Sequence, residues 1–152
     1  MIPDSIERET LVAAPVDRVW ALLTEAEHIG AWFGDAGAEI DLRPGGRLVM
    51  RWTEHGEAEA RIERVEPGRL FSYRWWSPFK GPDDEELTEG NSTLVEFTLT
   101  PEGEGTRLRV VESGFSALDG SPEQRADHHG DNTEGWRIEL AELADYARRV
   151  HA

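Results

Sequence analysis

Apolar and polar residues alternate along most of the chain in short segments, with turn-forming residues between them. In the segment Leu70–Trp76, apolar residues occupy every second position from Phe71 to Trp75, and Pro-Gly or Gly-Gly pairs end several segments. Alternation with a period of two is typical of strands that bury one face, and closely spaced turns favour an antiparallel meander. The pattern predicts strands near Ser5–Val12, Ala36–Leu42, Arg47–Thr53, Glu57–Val65, Leu70–Trp76, Thr93–Thr100 and Thr106–Phe115.

A helical period replaces the alternation after the first predicted strand. Pro15 suits an early position in a helix, and the apolar residues that follow it keep helical spacing: Val16, Val19, Trp20 and Leu23. Thr24 and Glu27 match a capping box, in which two side chains satisfy backbone N–H groups at the start of a helix. The pattern therefore predicts a second short helix from about Glu25 to Trp32.

The last part of the chain predicts one long amphipathic helix. Its apolar residues step by four, three, four and three positions and mark one face: Trp136, Leu140, Leu143, Ala147 and Val150. Ser121, just before Pro122, is a suitable N-cap. Gly130 and Gly135 are unfavourable inside a helix, by about 1 kcal/mol each relative to alanine. We therefore expect either a helix that starts after them or a close packing contact there.

Residues 77–92 form a long stretch with neither a strand period nor a helix period. They include four consecutive carboxylates, Asp83 to Glu86, and carboxylate oxygens are ligands that hard cations prefer. The run lacks the spacing of acidic residues and glycine found in calcium-binding loops. We therefore interpret it as a solvated loop.

Strand parity assigns side chains to the two faces of the predicted sheet, because residues two apart share a face. One of the two phases is polar and holds carboxylates and arginines, as expected for a face in water. The other phase is apolar and predicts the buried face: Ala38, Ile40, Leu42, Leu48, Met50, Trp52, Ala58, Ala60, Ile62, Phe71, Tyr73, Trp75, Val95, Phe97, Leu99, Leu108 and Val110.

Polar residues also fall on the predicted buried phases. In the last strand, the alternation of Leu108 and Val110 continues to Glu112, which is therefore predicted to point inward. On the long helix, the apolar face extended toward the N-terminus from Trp136 includes Thr133 and His129. A buried carboxylate needs a partner, so Glu112 and His129 are candidates for paired polar contacts inside an apolar pocket. Two alternatives stay open: a β-bulge before Gly114 would turn Glu112 outward, and His129 would lie in a loop before the helix.

Composition and charge narrow the class of protein. The chain has 152 residues, of which 38% are hydrophobic and six are tryptophan, and its formal net charge is −15. The length fits a single domain over residues 1–152 that buries its own core. The acidity argues against nucleic acid or an anionic membrane as a partner, because both would repel the chain. We assign much of this charge to the outer sheet face, the 83–86 run and the outer surface of the last helix, including Glu134, Glu139, Glu142 and Asp145.

Further function classes are excluded by missing residues and motifs. The sequence has no cysteine, which rules out disulfides, thiolate metal sites and a cysteine nucleophile. It has no nucleophile elbow, dinucleotide fingerprint or Walker motif. His128, His129 and Asp131 are close in sequence, but adjacent histidines on a helix point in different directions and seldom share an ion. We therefore expect no metal and no cofactor.

With no segment of about 20 apolar residues and no signal-peptide pattern, we expect a cytoplasmic protein without membrane insertion.

Short motifs occur in a fixed order along nearly the whole chain. They lie at residues 14–20 (APVDRVW), 29–33 (IGAWF), 44–47 (PGGR), 68–70 (GRL), 105–108 (GTRL), 112–115 (ESGF) and 135–136 (GW). In this order, the chain resembles the SRPBCC, or START-like, superfamily. Within it, the chain resembles the bacterial branch named after the activator of the Hsp-ninety ATPase (Aha-type domains).

The resemblance implies an α+β helix-grip fold, in which a curved antiparallel sheet of about seven strands wraps around a long C-terminal helix. It also implies two short helices between the first two strands and a cavity between sheet and helix for an apolar ligand. It supplies no shared catalytic motif, so the catalytic residues stay unassigned. Parity and the implied cavity rim give the candidate ligand-binding residues: Trp32, Phe33, Trp52, Tyr73, Trp75, Phe97, Glu112, His129, Thr133 and Trp136.

Three functions are compatible with these patterns. We favour binding of a small hydrophobic or aromatic molecule in the cavity. A cyclase- or dehydratase-like enzyme is the second, and Glu112 with His129 is the acid–base pair that the sequence nominates for it. The third is a protein-interaction module, as in co-chaperone relatives. For the oligomeric state, the resemblance favours a homodimer. A cavity of roughly 300 Å³ or more with polar groups would support the first two, and a filled core would argue against both.

Overall fold

The computed structural model of the chain describes residues 3–54 and 56–151. Its elements follow the predicted order, with most boundaries within two residues of the predicted ones, and a short 3₁₀ turn at Phe115–Ala117. They are β1 (Ser5–Val12), α1 (Val16–Thr24), α2 (Ala26–Trp32), β2 (Ala38–Ile40), β3 (Arg47–Trp52), β4 (Gly56–Glu66), β5 (Leu70–Trp76), β6 (Ser92–Glu102), β7 (Gly105–Ser113) and α3 (Pro122–His151).

The seven strands form one antiparallel sheet in the order β1-β7-β6-β5-β4-β3-β2. Five consecutive hairpins build the meander from β2 to β7, and β1 completes the sheet beside β7. The register of β4 against β5 shifts between Ile62 and Arg64, which is the irregularity a β-bulge produces. With α1, α2 and the long α3, this architecture confirms the predicted α+β helix-grip fold.

The inner face of the sheet packs against the helices and forms the apolar core. Nearly all residues of the predicted inward phase are buried or partly buried there. Leu42 is an exception, since it follows the end of β2 and is 40% exposed. On α3, Leu140, Leu143 and Ala147 are buried as predicted, but Val150 is exposed because it lies beyond the last contact of the helix with the core.

The outer face carries alternating arginines and carboxylates in cross-strand pairs. Arg51 contacts Glu57 at 3.2 Å across β3 and β4, and Arg109 contacts Glu7 at 2.9 Å across β7 and β1. Exposed pairs of this kind contribute little to stability, because water screens them. This face therefore carries much of the negative charge, as predicted, without forming a concentrated anionic site.

Two predicted caps have different outcomes. Ser121 Oγ accepts a hydrogen bond from the Gln124 N–H at 3.1 Å, and Gln124 Oε1 accepts one from the Ser121 N–H at 2.8 Å. This reciprocal pair confirms Ser121 as the start of α3. The capping box at Thr24 and Glu27 was the wrong interpretation, because the Thr24 hydroxyl instead donates to the Trp20 carbonyl at 2.8 Å within α1.

The loop between β5 and β6 is solvated along most of its acidic run, as predicted, but Asp84 has a structural role. Its Oδ2 accepts from the Gly81 N–H at 2.7 Å and from Asn91 Nδ2 at 3.2 Å. These donors lower the pKa of Asp84 below its usual value. The buried Asn91 side chain also accepts from the Thr88 N–H at 2.7 Å, so its amide closes the loop.

Both glycines of α3 lie inside the helix, so neither predicted explanation for them holds. The helix starts before them at Pro122, and a Cβ added at Gly130 or Gly135 would meet no atom within 4 Å. No helix in the part of the chain that the structure describes is long and apolar enough to cross a membrane. The long α3 is instead an amphipathic element with two unfilled positions along it.

Gly130→Ala is expected to raise the free energy of unfolding by about 0.5–1 kcal/mol, because alanine loses less backbone entropy on folding. The position is exposed and has room for a methyl group. Urea denaturation followed by circular dichroism measures the change. Gly103→Ala is the control: it also meets open space, but its φ of +61° should make alanine destabilising by about 1 kcal/mol. A destabilised Gly130→Ala variant would contradict the prediction.

Candidate functional site

The space directly beneath α2 is filled by side chains rather than forming a large enclosed cavity. The void there is about 10 Å³, on the scale of a single water molecule, and apolar and aromatic residues line it. Trp32, Tyr73 and Phe97 belong to this packed region and are at most 3% exposed. The Trp32 indole N–H donates to the Leu22 carbonyl at 2.6 Å, which fixes the ring in the core instead of at a rim.

A much larger cleft opens beside this core, between α3 and the adjoining ends of β3, β4 and β5. Its volume is about 1030 Å³. Several charged or titratable residues also line it, and one of them is Lys80. The Lys80 ammonium lies 5.0 Å from the centre of the Trp76 ring. Five large aromatic side chains are among its lining residues: Phe33, Trp52, Trp75, Trp76 and Trp136.

The aromatic rings of the cleft hold one another in place. Trp75 and Trp136 stack with ring centroids 5.7 Å apart and an interplanar angle of 27°. Phe33 meets the edges or faces of Trp52, Trp75 and Trp136 at 5.5, 6.0 and 5.6 Å. The Trp52 indole N–H also donates to the Phe33 carbonyl at 2.7 Å. Such edge and stacked contacts add to burial energy and leave the cleft with a preformed flat-sided wall.

Glu112 lies inward at the end of β7, as parity predicts, and it is fully buried. The regular register of β7 against both neighbouring strands through Ser113 removes the alternative of a bulge. Its two carboxylate oxygens accept from four side chains, at 2.5–3.0 Å: Trp75 Nε1, Thr93 Oγ1, Asn132 Nδ2 and Trp136 Nε1. The carboxylate therefore anchors the two stacked indoles from behind the cleft wall.

Within the described part of the chain, His129 makes no hydrogen bond to the Glu112 carboxylate. Its Nε2 lies 3.1 Å from the Ser5 carbonyl of β1, and its ring packs against Phe115. Thr133 donates its hydroxyl to the His129 carbonyl at 2.7 Å along α3. The expected pairing of Glu112 with His129 is therefore wrong, and Asn132 takes the place of the histidine.

His128 lines the cleft beside the aromatic wall. Its ring packs against Phe79 and Phe115, and burial lowers its pKa below the usual value despite the attraction of Glu112 and Asp131. The imidazole is therefore mostly neutral at pH 7. Its packing on two aromatic rings gives the imidazole an apolar setting at the edge of the cleft.

Glu139 is a cleft residue that sequence reasoning placed on the outer surface of α3. It lies three positions after Trp136, on the flank of the buried stripe, and its Oε2 is shielded from solvent. Burial raises the pKa of Glu139 to about 8, and the carboxylates of Glu142 and Asp35 contribute to the rise. The Tyr73 hydroxyl is likewise buried, and burial together with Glu112 and Glu139 raises its pKa well above the usual value.

A group of potential metal ligands lies outside the lining of this cleft. Glu25, Glu27 and His28 bring ligand atoms within 4.8 Å of one another at the surface between α1 and α2. Two of the three are exposed, and His28 Nδ1 already lies 2.8 Å from the Tyr146 hydroxyl. The group therefore resembles an ordinary polar surface patch.

Similar proteins share this fold over most of their length. A crystal structure of the protein MLL2253 from Mesorhizobium loti superimposes with a TM-score of 0.76, at 25% identity over 95% of this chain and 97% of that one. The solution structure of the Aha1 dimer from Colwellia psychrerythraea gives a TM-score of 0.70 at 16% identity, covering 95% of each chain. At that identity the second likeness concerns the fold alone.

A sequence relative adds a more local likeness. A Streptomyces halstedii protein named "Putative polyketide cyclase" is 39% identical over 57 residues, which make up 37% of this chain and 52% of that protein. The matched part thus spans about half the length of the relative. A family description covers far more of the chain: residues 13–148 match the Activator of Hsp90 ATPase homolog 1-like proteins. The chain therefore belongs to the Activator of Hsp90 ATPase homolog 1-like protein family, with its helix-grip fold.

Proposed function

We propose that the chain binds a small, flat hydrophobic or aromatic molecule in the cleft beside α3. The observation that carries the proposal is the set of five aromatic side chains around a volume of about 1030 Å³. Ligand sites are typically concave and lined by apolar and aromatic groups, with a few placed polar groups and a volume of about 300–1000 Å³. The aromatic wall is preformed by Glu112, so a flat ring would not have to order it on binding.

An enzyme of the cyclase type is a second proposal, motivated by the local likeness to the Streptomyces halstedii protein. The pair nominated from the sequence gives it no support, since Glu112 is sealed by its donors and His129 contacts β1. Any acid–base chemistry in the cleft would instead involve Glu139 or His128, which line it. The interaction module and the homodimer stay hypotheses; the dimer is motivated by a structural neighbour that was solved as a dimer.

The neutral fluorescent probe N-phenyl-1-naphthylamine tests the binding proposal. We expect saturable binding to the wild-type chain, weakened about tenfold or more by Gly135→Leu, a loss of about 1.4 kcal/mol. Gly135 lines the cleft, and an added Cβ meets no atom within 4 Å, so leucine should fill ligand space without straining α3. Fluorescence titration at constant pH and salt gives both dissociation constants.

Gly130→Leu is the matched control for this experiment. The substitution is the same, lies on the same helix and also meets open space, but Gly130 does not line the cleft. We expect it to bind the probe as the wild-type chain does. Equal affinity of all three proteins, or no saturable binding to any of them, would refute the cleft as the site.

A further inference from the structure

Glu139 differs from the other carboxylates of the cleft in its surroundings. Glu57 is paired with Arg51 at 3.2 Å, and Glu59 with Arg47 at 3.0 Å, both toward the outer face of the sheet. The Glu139 carboxyl lines the cleft, and its shielded Oε2 has no hydrogen-bond partner among the residues that the structure describes. Shielding one carboxylate oxygen without a partner penalises the charged form and favours the protonated acid.

The charges around Glu139 favour its neutral form. The carboxylates of Asp35, from the segment after α2, and of Glu142, one turn further along α3, both act to keep the proton on it. Tyr73 of β5 offers a hydroxyl without charge, since its pKa lies well above the usual value. The remaining titratable groups of the cleft are Glu57 and Glu59 of β4, Lys80 of the following loop, and His128 and Asp131 of α3.

The protonation state of Glu139 at neutral pH follows from these surroundings. With a pKa raised to about 8, chiefly by burial, the side chain is mostly a carboxylic acid at pH 7. A carboxylic acid has an O–H donor, which a carboxylate lacks. A donor beside aromatic walls and partly shielded from water interacts more strongly with an acceptor than the same donor in water would.

We propose that Glu139, as a neutral carboxylic acid, donates a hydrogen bond to a carbonyl oxygen of the bound molecule. The cleft would then select uncharged aromatic ketones over hydrocarbons of the same shape. This inference rests on the proposed binding function and specifies the ligand class of the same site. The competing occupant is an aromatic cation, which a carboxylate at position 139 would attract instead.

Three naphthalene probes of similar shape separate these possibilities: 2-acetonaphthone, 2-ethylnaphthalene and (2-naphthylmethyl)trimethylammonium. We expect the wild-type chain at pH 6 to bind the ketone about fivefold more tightly than the hydrocarbon, a modest gain typical of one hydrogen bond. None of the probes titrates between pH 6 and pH 9.5. Because Glu139 loses its proton as the pH rises through about 8, the preference should disappear by pH 9.5.

Substitutions at and near position 139 complete the test. Glu139→Gln keeps an N–H donor that does not titrate, so the ketone preference should persist at both pH values, whereas Glu139→Leu should abolish it at both. Glu142→Gln removes a nearby exposed carboxylate and should lower the pH at which the preference is lost, and it leaves residue 139 intact.

The outcomes distinguish the two proposals. Binding of 2-ethylnaphthalene that Gly135→Leu weakens, with no pH-dependent ketone preference, would overturn the role of Glu139 and leave the binding site in place. Tighter binding of the ammonium probe as the pH rises, lost in Glu139→Gln, would replace the ketone by a cation as the favoured ligand. Failure of all three probes to bind would refute the binding function and this inference with it.

Discussion

Glu112→Gln is expected to lower the free energy of unfolding by about 3 kcal/mol, although the two side chains have nearly the same shape. The carboxylate is fully buried and accepts hydrogen bonds on both oxygens, from two indoles, a hydroxyl and an amide. A glutamine would turn an NH₂ group toward these donors, so at least one buried N–H would lose its acceptor. Each such buried group costs about 1–3 kcal/mol, and a charged acceptor is also lost.

Urea denaturation of Glu112→Gln and of Glu96→Gln measures this effect against a matched change. Glu96 lies on the neighbouring strand β6 and is partly exposed on the outer face, so its replacement should alter stability by no more than about 0.5 kcal/mol. We also expect Glu112→Gln to weaken the near-ultraviolet circular dichroism of the tryptophans, because two indoles lose their anchor. A loss below about 1 kcal/mol would show that Glu112 is not the anchor of the cleft wall.

Gly46→Ala is expected to be destabilising by about 3 kcal/mol or more, because the added methyl group would overlap the backbone. A Cβ at Gly46 would collide with the carbonyl oxygen of Asp41. The surrounding backbone has little freedom to move away: the Gly46 N–H donates to the Arg43 carbonyl, and the Gly46 carbonyl accepts from the Ile62 N–H, each at 2.9 Å. Close approach of three chain segments therefore requires glycine at this position.

Gly45→Ala is the comparison, because the adjacent glycine is needed for a different reason. Its φ is +84°, in the left-handed region, but a Cβ there would meet no atom within 4 Å. Alanine should cost about 1–2 kcal/mol through conformation alone. Denaturation midpoints of the two variants, measured together, give the order. A Gly46→Ala variant as stable as Gly45→Ala would contradict the steric explanation.

The strands and their inward faces could be predicted from the sequence because the strands keep a simple period, whereas the helix-grip arrangement was implied by the family resemblance. Parity along β7 places Glu112 inward, and the actual register agrees up to Ser113. The partner of Glu112 was harder to predict, since a helix face can be continued from Trp136 by three or by four residues. Four residues, about 6 Å, lead to Asn132, whereas His129 is about 10 Å away along α3 and reaches β1 instead.

The cleft depends on properties that periodicity does not encode. Glu139 lies on the flank of the apolar stripe of α3, and a flank position faces water or a cleft according to where the neighbouring sheet ends. Trp32 and Phe33 are adjacent in sequence, yet the first is held in the core by the Leu22 carbonyl and the second lines the cleft. Those differences arise from tertiary packing among residues far apart in sequence.

Lys80 at the rim of the cleft has a practical consequence, because it is the one lysine in the sequence. Its ammonium lies over Trp76 and lines the cleft, so an amine-selective reagent that reacts with lysine side chains would modify this protein beside its aromatic wall. A molecule seated in the cleft would shield that amine and slow the labelling. Lys80 thus serves as a footprinting reporter for the cleft, readable as the mass shift of the one peptide that contains it.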